Sequence, residues 1–265
     1  MRANAVKHSG WLLIALLLLL ARVPGATAAD SITNDVAEFT RRAQKTFDAA
    51  KTRMDANTTN QEAIWQFARA CFDLADLATT DGRREELANQ GISASRRLVG
   101  INPKSAEAHY YLGMNLGELA ETKTLGALKI VPEMETEFKT ELELNSALDH
   151  AGADRNLGLL YRDCPGWPAS IGNRSKARQH LQAALTLAPD FPENLMNLIE
   201  GELKWGDQAG AVRDLKSLDS LWPKARKQYT GEEWEVSWAD WQKRREIVQK
   251  KANEASKVIE PPRKP

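Results

Sequence analysis

The side chains best suited to metal, acid–base or nucleophilic chemistry beyond residue 29 are His109, His150, His180, Cys71 and Cys164. No two of these histidines stand at the i, i+4 spacing that presents both imidazoles of a helix to one zinc ion. No close cysteine pair completes a tetrahedral set either. His150 lies between Asp149 and Asp154, an order able to orient an imidazole or hold a cation; an ordinary hydrogen-bonded histidine on a surface loop accounts for it more simply. Neither cysteine has a histidine and an acid beside it in sequence. The helical pattern puts the two on separate repeats, so buried free thiols are expected rather than a disulfide. There is no phosphate-cradling glycine loop and no Gly-x-Ser-x-Gly elbow. The many carboxylate pairs fit exposed ion pairs of a charged helical array. Neither an enzyme nor a cofactor or metal site is expected.

The elements that would position these groups begin after a different kind of segment. Arg2 and Lys7 open the chain, residues 11–21 are an unbroken apolar run, and Ala26-Thr27-Ala28-Ala29 offers small residues to a peptidase. This is the order of a secretory signal peptide, expected over 1–29, and the run is too short to span a bilayer comfortably. A periplasmic or secreted protein follows. Losing Arg2, Lys7 and Arg22 would leave 33 basic against 36 acidic side chains. Such a balance excludes a general nucleic-acid binder, which needs a basic field to displace counterions.

Periodicity beyond the leader is helical throughout. Val36, Phe39, Ala43, Phe47 and Ala50 form an apolar stripe, placing an N-terminal helix at 30–56. Thr59-Asn60-Gln61-Glu62 reads as a capping box ahead of Trp65, Ala68, Phe72 and Ala75, and Gly82 marks a break. An internal repeat then emerges. Ala177, Leu181, Ala184 and Pro189 keep the same spacing as Ala211, Leu215, Leu218 and Pro223, and Pro189 and Pro223 are 34 residues apart. Leu112 follows Pro103 as Leu198 follows Pro189. A period of this length indicates paired antiparallel helices, with small residues where they cross and a proline ending the second.

Leu112-Gly113, Leu157-Gly158-Leu159-Leu160-Tyr161 and Lys176-Ala177 through Pro189 resemble the tetratricopeptide consensus. The likeness is strong over 154–223 and weaker over 60–148, where 123–137 fits no consensus. The expected fold is an all-α, tetratricopeptide-like helical-hairpin solenoid with repeats over 57–223. A Pro/Gly-rich insertion, Pro165-Gly166-Trp167-Pro168-Ala169-Ser170-Ile171-Gly172, separates the helices of one unit. With its flanking motifs it resembles the T-component family of periplasmic TRAP transporters, and the related regulator-of-microtubule-dynamics proteins. The first resemblance implies a subunit that pairs with a solute-binding protein and forms trimers around a pore. Members of that family are typically lipoproteins; no lipidation cysteine stands here, so tethering by lipid is not expected.

Beyond Pro223, Thr230-Gly231-Glu232-Glu233 reads as a second capping box. Trp234, Trp238, Trp241 and Val248 share one face of a helix expected within 224–256. An aromatic stripe suits an end cap, and a partner or membrane-surface site is the alternative. The basic, Pro-rich tail at 257–265 is expected to be solvated, with at most weak attraction to anionic lipid.

The tetratricopeptide register points Tyr110, Met114, Arg155, Leu159, Arg162, Met196 and Glu200 into an inner groove, with Asn156 and Asn197 beside them. Arginine gripping carboxylates and adaptable Met and Tyr contacts suit an exported peptide or protein partner, or a solute-binding protein. Trp167 either anchors its loop or stands as a contact hot spot. The expected function is therefore an exported protein-binding scaffold; the rivals are a carrier enclosing a small apolar ligand and a hydrolase assembled from distant residues.

Overall fold

The computed structural model describes the backbone of residues 26–123 and 126–259, and side chains within 36–254. Most of the expected signal peptide and the end of the basic tail lie outside the described residues. The chain forms two compact units that meet at residues 144 and 145. Among the described residues every extended element is helical, and no helix is long and apolar enough to cross a membrane.

The first unit holds α1 (Ala26–Ala56), α2 (Gln61–Asp76), α3 (Asp81–Ile101), α4 (Ala106–Glu121) and α5 (Val131–Asn145), with a short 3-10 turn at Ala127–Lys129. Phe47 of α1 meets Phe67 of α2 at 5.3 Å, and Trp65 stacks on Tyr111 at 6.0 Å. The α2 cap differs from the sequence expectation. Asn60, not Thr59, accepts the Ala63 amide, while the Thr59 hydroxyl bonds Asn57. Thr80 and Ser105 cap α3 and α4 in the same manner, each such cap contributing about 1 kcal/mol. The Gly82 break is the first turn of α3, just beyond Thr80. Phe138 of α5, just past the stretch without consensus, lays its ring against Gly113 of α4.

The second unit contains α6 (Gly152–Asp163), α7 (Arg174–Leu187), α8 (Pro192–Lys204) and α9 (Gln208–Gln228), then a 3-10 turn at Glu232–Trp234 and α10 (Glu235–Ile259). Gly158 explains the close crossing of α6 and α7, because a Cβ there would sit 2.7 Å from the Leu181 side chain. Asn173 and Asp207 cap α7 and α9.

Two expectations fail in this unit. Pro223 does not end its helix; α9 continues to Gln228. A proline inside a helix costs about 3 kcal/mol, and burial of Trp222 and Ala225 on either side of it favours continuing the helix. Thr230 does not cap the next segment either. Gly231 precedes the short turn at a φ of 103°, and no side chain caps that turn. The C-terminal helix starts at Glu235, inside the expected span, and runs on to Ile259. Trp234, Trp238, Trp241 and Val248 are all buried in one apolar cluster with Phe191, Met196, Leu215 and Trp222. Trp238 donates its indole N–H to the Tyr229 carbonyl at 2.7 Å. These indoles serve as core, and the C-terminal helix closes the α8–α9 hairpin.

Candidate functional site

The residues expected to line an inner groove are mostly interior. Tyr110, Met114, Arg155, Asn156, Leu159, Met196 and Asn197 are buried. Only Arg162 and Glu200 among those expected from the register reach solvent, and only in part. The cause is packing that a repeat register does not reveal. Tyr110 contacts Tyr111 at 5.2 Å and Phe138 at 6.1 Å. Met196 joins the aromatic cluster under α10.

Arg244 of α10 occupies the wall that α8 would present. It donates to Asn197 Oδ1 at 2.5 Å and to Glu200 Oε1 at 2.8 Å, and it pairs with Glu193 at 3.5 Å. Arg162 binds Asp163 at 2.7 Å and reaches Glu200 at 3.3 Å. Burial pushes the Glu200 carboxyl up, but Arg244 and Arg162 outweigh it and hold it below its ordinary value. Burial raises Glu193 to about 7 despite its nearness to Arg155 and Arg244. This wall is a closed ion-pair seam joining α6, α8 and α10 within one unit, not a surface awaiting a peptide.

Arg155 has a different task from gripping a carboxylate of a partner. Asp149, His150 and Ala151 run consecutively at φ values of 54°, 54° and 65°, in the left-handed region that non-glycine residues rarely occupy. Arg155 pins that turn through Asp149 Oδ2 at 2.6 Å and the carbonyls of Asp149 and His150 at 3.1 Å each. Asn194 of α8 donates to the same His150 carbonyl at 3.0 Å and accepts from Arg155 at 3.2 Å. His150 sits half-buried in that turn rather than free at the surface. Its ring stacks on Phe191 at 4.3 Å and meets Tyr229 edge-on at 5.5 Å. Burial lowers its pKa. Asp154 turns to His180 at 2.7 Å, so the Asp-His-Asp run divides among three separate partners. Asn194, Arg244 and Glu193, which organise this interior, carried no signal in the sequence: each matters only through an element distant in chain order.

His109 bonds Glu137 at 2.6 Å and the Pro103 carbonyl at 2.9 Å. Cys71 is buried, Cys164 partly so, and neither is in a disulfide; burial raises the Cys71 thiol well above its ordinary value. Among the described residues no group of three or more His, Cys, Asp or Glu side chains is placed to hold a metal ion.

Trp167 stands apart from all of these. It is 89% exposed, whereas the next most exposed large apolar side chain among the described residues, Leu187, is 50% exposed. The loop beneath it is built rather than slack. Gly166 and Gly172 pair side by side. The Gly172 amide donates to the Pro165 carbonyl at 2.9 Å, and Asn173 ties the loop's exit to Tyr161 at 2.8 Å. A Cβ on Gly172 would fall 2.0 Å from the Cys164 carbonyl oxygen, so the closure needs glycine there. Of the two outcomes weighed for Trp167, exposure is the one found. Surface depressions are open, and charged and amide side chains edge both. One lies over Arg174, Ser175, Arg178, Gln179 and Gln182 of α7; another, in the first unit, is edged by Lys51, Met54, Phe67, Asn89 and Arg97.

The geometry agrees with the comparisons. A thermophilic TPR protein of Thermus thermophilus is similar over 78% of this chain and 91% of its own, at a TM-score of 0.57 and 20% identity. The crystal structure of MamA is similar over 71% of this chain and 95% of its own, at a TM-score of 0.51 and 21% identity. The fold is tetratricopeptide-like. At such identities the likeness extends to the fold alone. The family model for regulator of microtubule dynamics protein 1-3 matches residues 28–150, somewhat under half of the chain. It covers the first unit, whose consensus was the weaker in sequence, and leaves the Trp167 loop outside. No curated protein matches the chain significantly.

Proposed function

We propose that this is an exported, non-catalytic scaffold that binds another protein through the Trp167 loop and the adjoining start of α7. The observation that carries it is an indole left almost wholly in water on a loop closed by backbone hydrogen bonds. Large aromatic side chains of this kind are the commonest binding hot spots, and a pre-ordered loop loses little entropy when a partner covers it. Helical-hairpin repeats generally serve protein–protein recognition, which supports the same assignment. The signal-like order of the first 29 residues supports a location in the periplasm or outside the cell. Resemblance of the Leu157–Gly158 and insertion motifs to TRAP T-components makes a periplasmic solute-binding protein of such a transporter the first partner to test. A homo-oligomer is compatible with that assignment.

A carrier of small apolar ligands has less support, because both surface depressions carry cations and amides and open to solvent. The decisive experiment is co-purification from periplasmic extract of the native chain and of Trp167→Ala. The partner should be recovered with the first and lost with the second. Equal recovery with both would remove the loop from the interaction, and failure of the leader to be cleaved and the chain exported would remove the compartment.

A further inference from the structure

We propose that the partner docks an acidic segment, containing at least one apolar side chain, onto the Trp167 loop and the cationic start of α7. This rests on the partner-facing role of Trp167 proposed above and adds the chemistry of what it meets. The chain as a whole balances 36 basic against 36 acidic side chains, yet no Asp or Glu occurs between Asp163 and Asp190. Within that stretch lie Trp167, Arg174, Lys176 and Arg178. The first turn of α7 contains no acid, although helix starts favour anionic side chains and disfavour cations. The cations are therefore placed there at some cost to the helix.

They are also held in place. Arg174 lies over the Trp205 ring at 5.6 Å, and Lys176 over the Tyr161 ring at 5.0 Å. Arg178 shares the Trp205 ring at 5.1 Å and is neutralised by Asp207 at 2.8 Å. Among the described residues neither Arg174 nor Lys176 meets a carboxylate. Stacking on rings leaves their charged ends oriented and outward, so a bound carboxylate encounters cations already positioned. The exposed indole of the loop that leads into α7 gives an apolar residue of the same segment something to cover. Complementary charge of this sort sets partner choice and encounter rate more than raw affinity. An anionic membrane is the weaker candidate, since polybasic lipid sites usually gather about 4–8 cations.

The test uses the mature chain with short fluorescent peptides rich in Glu, Asp and Leu, each paired with its Gln and Asn counterpart, in a polarisation assay at low salt. At least one acidic peptide should bind about tenfold more tightly than its neutral twin, a difference of about 1.4 kcal/mol. Arg174→Ala with Lys176→Ala should erase that difference, and raising the salt should shrink it. Trp167→Ala should weaken the acidic peptide while leaving a charge preference. If no acidic peptide outbinds its neutral twin, the inference is overturned. It is overturned equally if phosphatidylserine vesicles bind and the peptides do not. A partner still captured through Trp167 under those results would leave the scaffold function standing without the acidic docking.

Discussion

The wall of α8 and the loop before α7 belong to the same unit and use the same residue types to opposite ends. Under α10, Trp241 is fully buried and Arg244 is shared among Glu193, Asn197 and Glu200. At the loop, Trp167 faces water, and Arg174 rests on a ring without a carboxylate. Both regions combine indole with guanidinium, but one is finished and the other is not. An indole and an arginine on helical repeats indicate a binding face only where no further element of the chain has already covered them.

That contrast is open to direct disruption. The largest effect should come from ending the chain before Trp234. This removes Trp234, Trp238, Trp241 and Val248 from the core, at about 1.5–3 kcal/mol for each buried apolar side chain against the about 5–15 kcal/mol that holds a domain together. Circular dichroism should show the second unit unfolding. A folded truncation that gained peptide affinity would instead make α10 a removable lid over a groove. Next comes Arg155→Ala, which leaves Asp149 buried without its cation and frees a left-handed turn. A loss of about 3–5 kcal/mol in urea denaturation is expected, with any fall in binding following stability alone.

The pH profile gives a smaller effect with a definite sign. Burial raises Glu193 from its ordinary 4.5 to about 7. Its neutral form is favoured by folding, so the stability it contributes is complete below about 4.5 and is lost as pH rises through about 7. Glu202, also raised to about 7 by burial, acts in the same direction. Glu193→Gln should flatten part of the decline between those limits in denaturation midpoints measured across pH. An unchanged slope would remove Glu193 as its source. The smallest effect belongs to the loop: Trp167→Ala should alter unfolding free energy by no more than about 0.5 kcal/mol, because its indole is not part of the core. A large loss of stability would class Trp167 with Trp241.

Much of the fold was legible because repeat packing imposes local demands. Gly158 is needed for the α6–α7 approach, and the shared spacing of Ala177, Leu181 and Ala184 with Ala211, Leu215 and Leu218 marks the second helices. The cap at Asn60 rather than Thr59 is a shift of one residue between two side chains able to do the same work. Pro223 misled because a local rule about helix ends yielded to burial of Trp222 and Ala225. The binding face misled for a broader reason. A register states which way Met196 and Asn197 point from α8, but not that Arg244 and Trp241 arrive on them from an element more than a repeat away. Nor does periodicity apply to an insertion, so the exposure of Trp167 followed only from how Gly166 and Gly172 close the loop.

The most direct test of the contrast between the two regions places a photo-crosslinking amino acid at position 167 in one variant and at position 196 in another, each expressed in full in cells. An intermolecular adduct is expected from position 167, and none from position 196, which lies inside the α8–α10 core. Adducts from position 196 in a stably folded protein, with none from position 167, would contradict the account: the binding face would then be the inner wall of the repeats, and the loop an unused exposure.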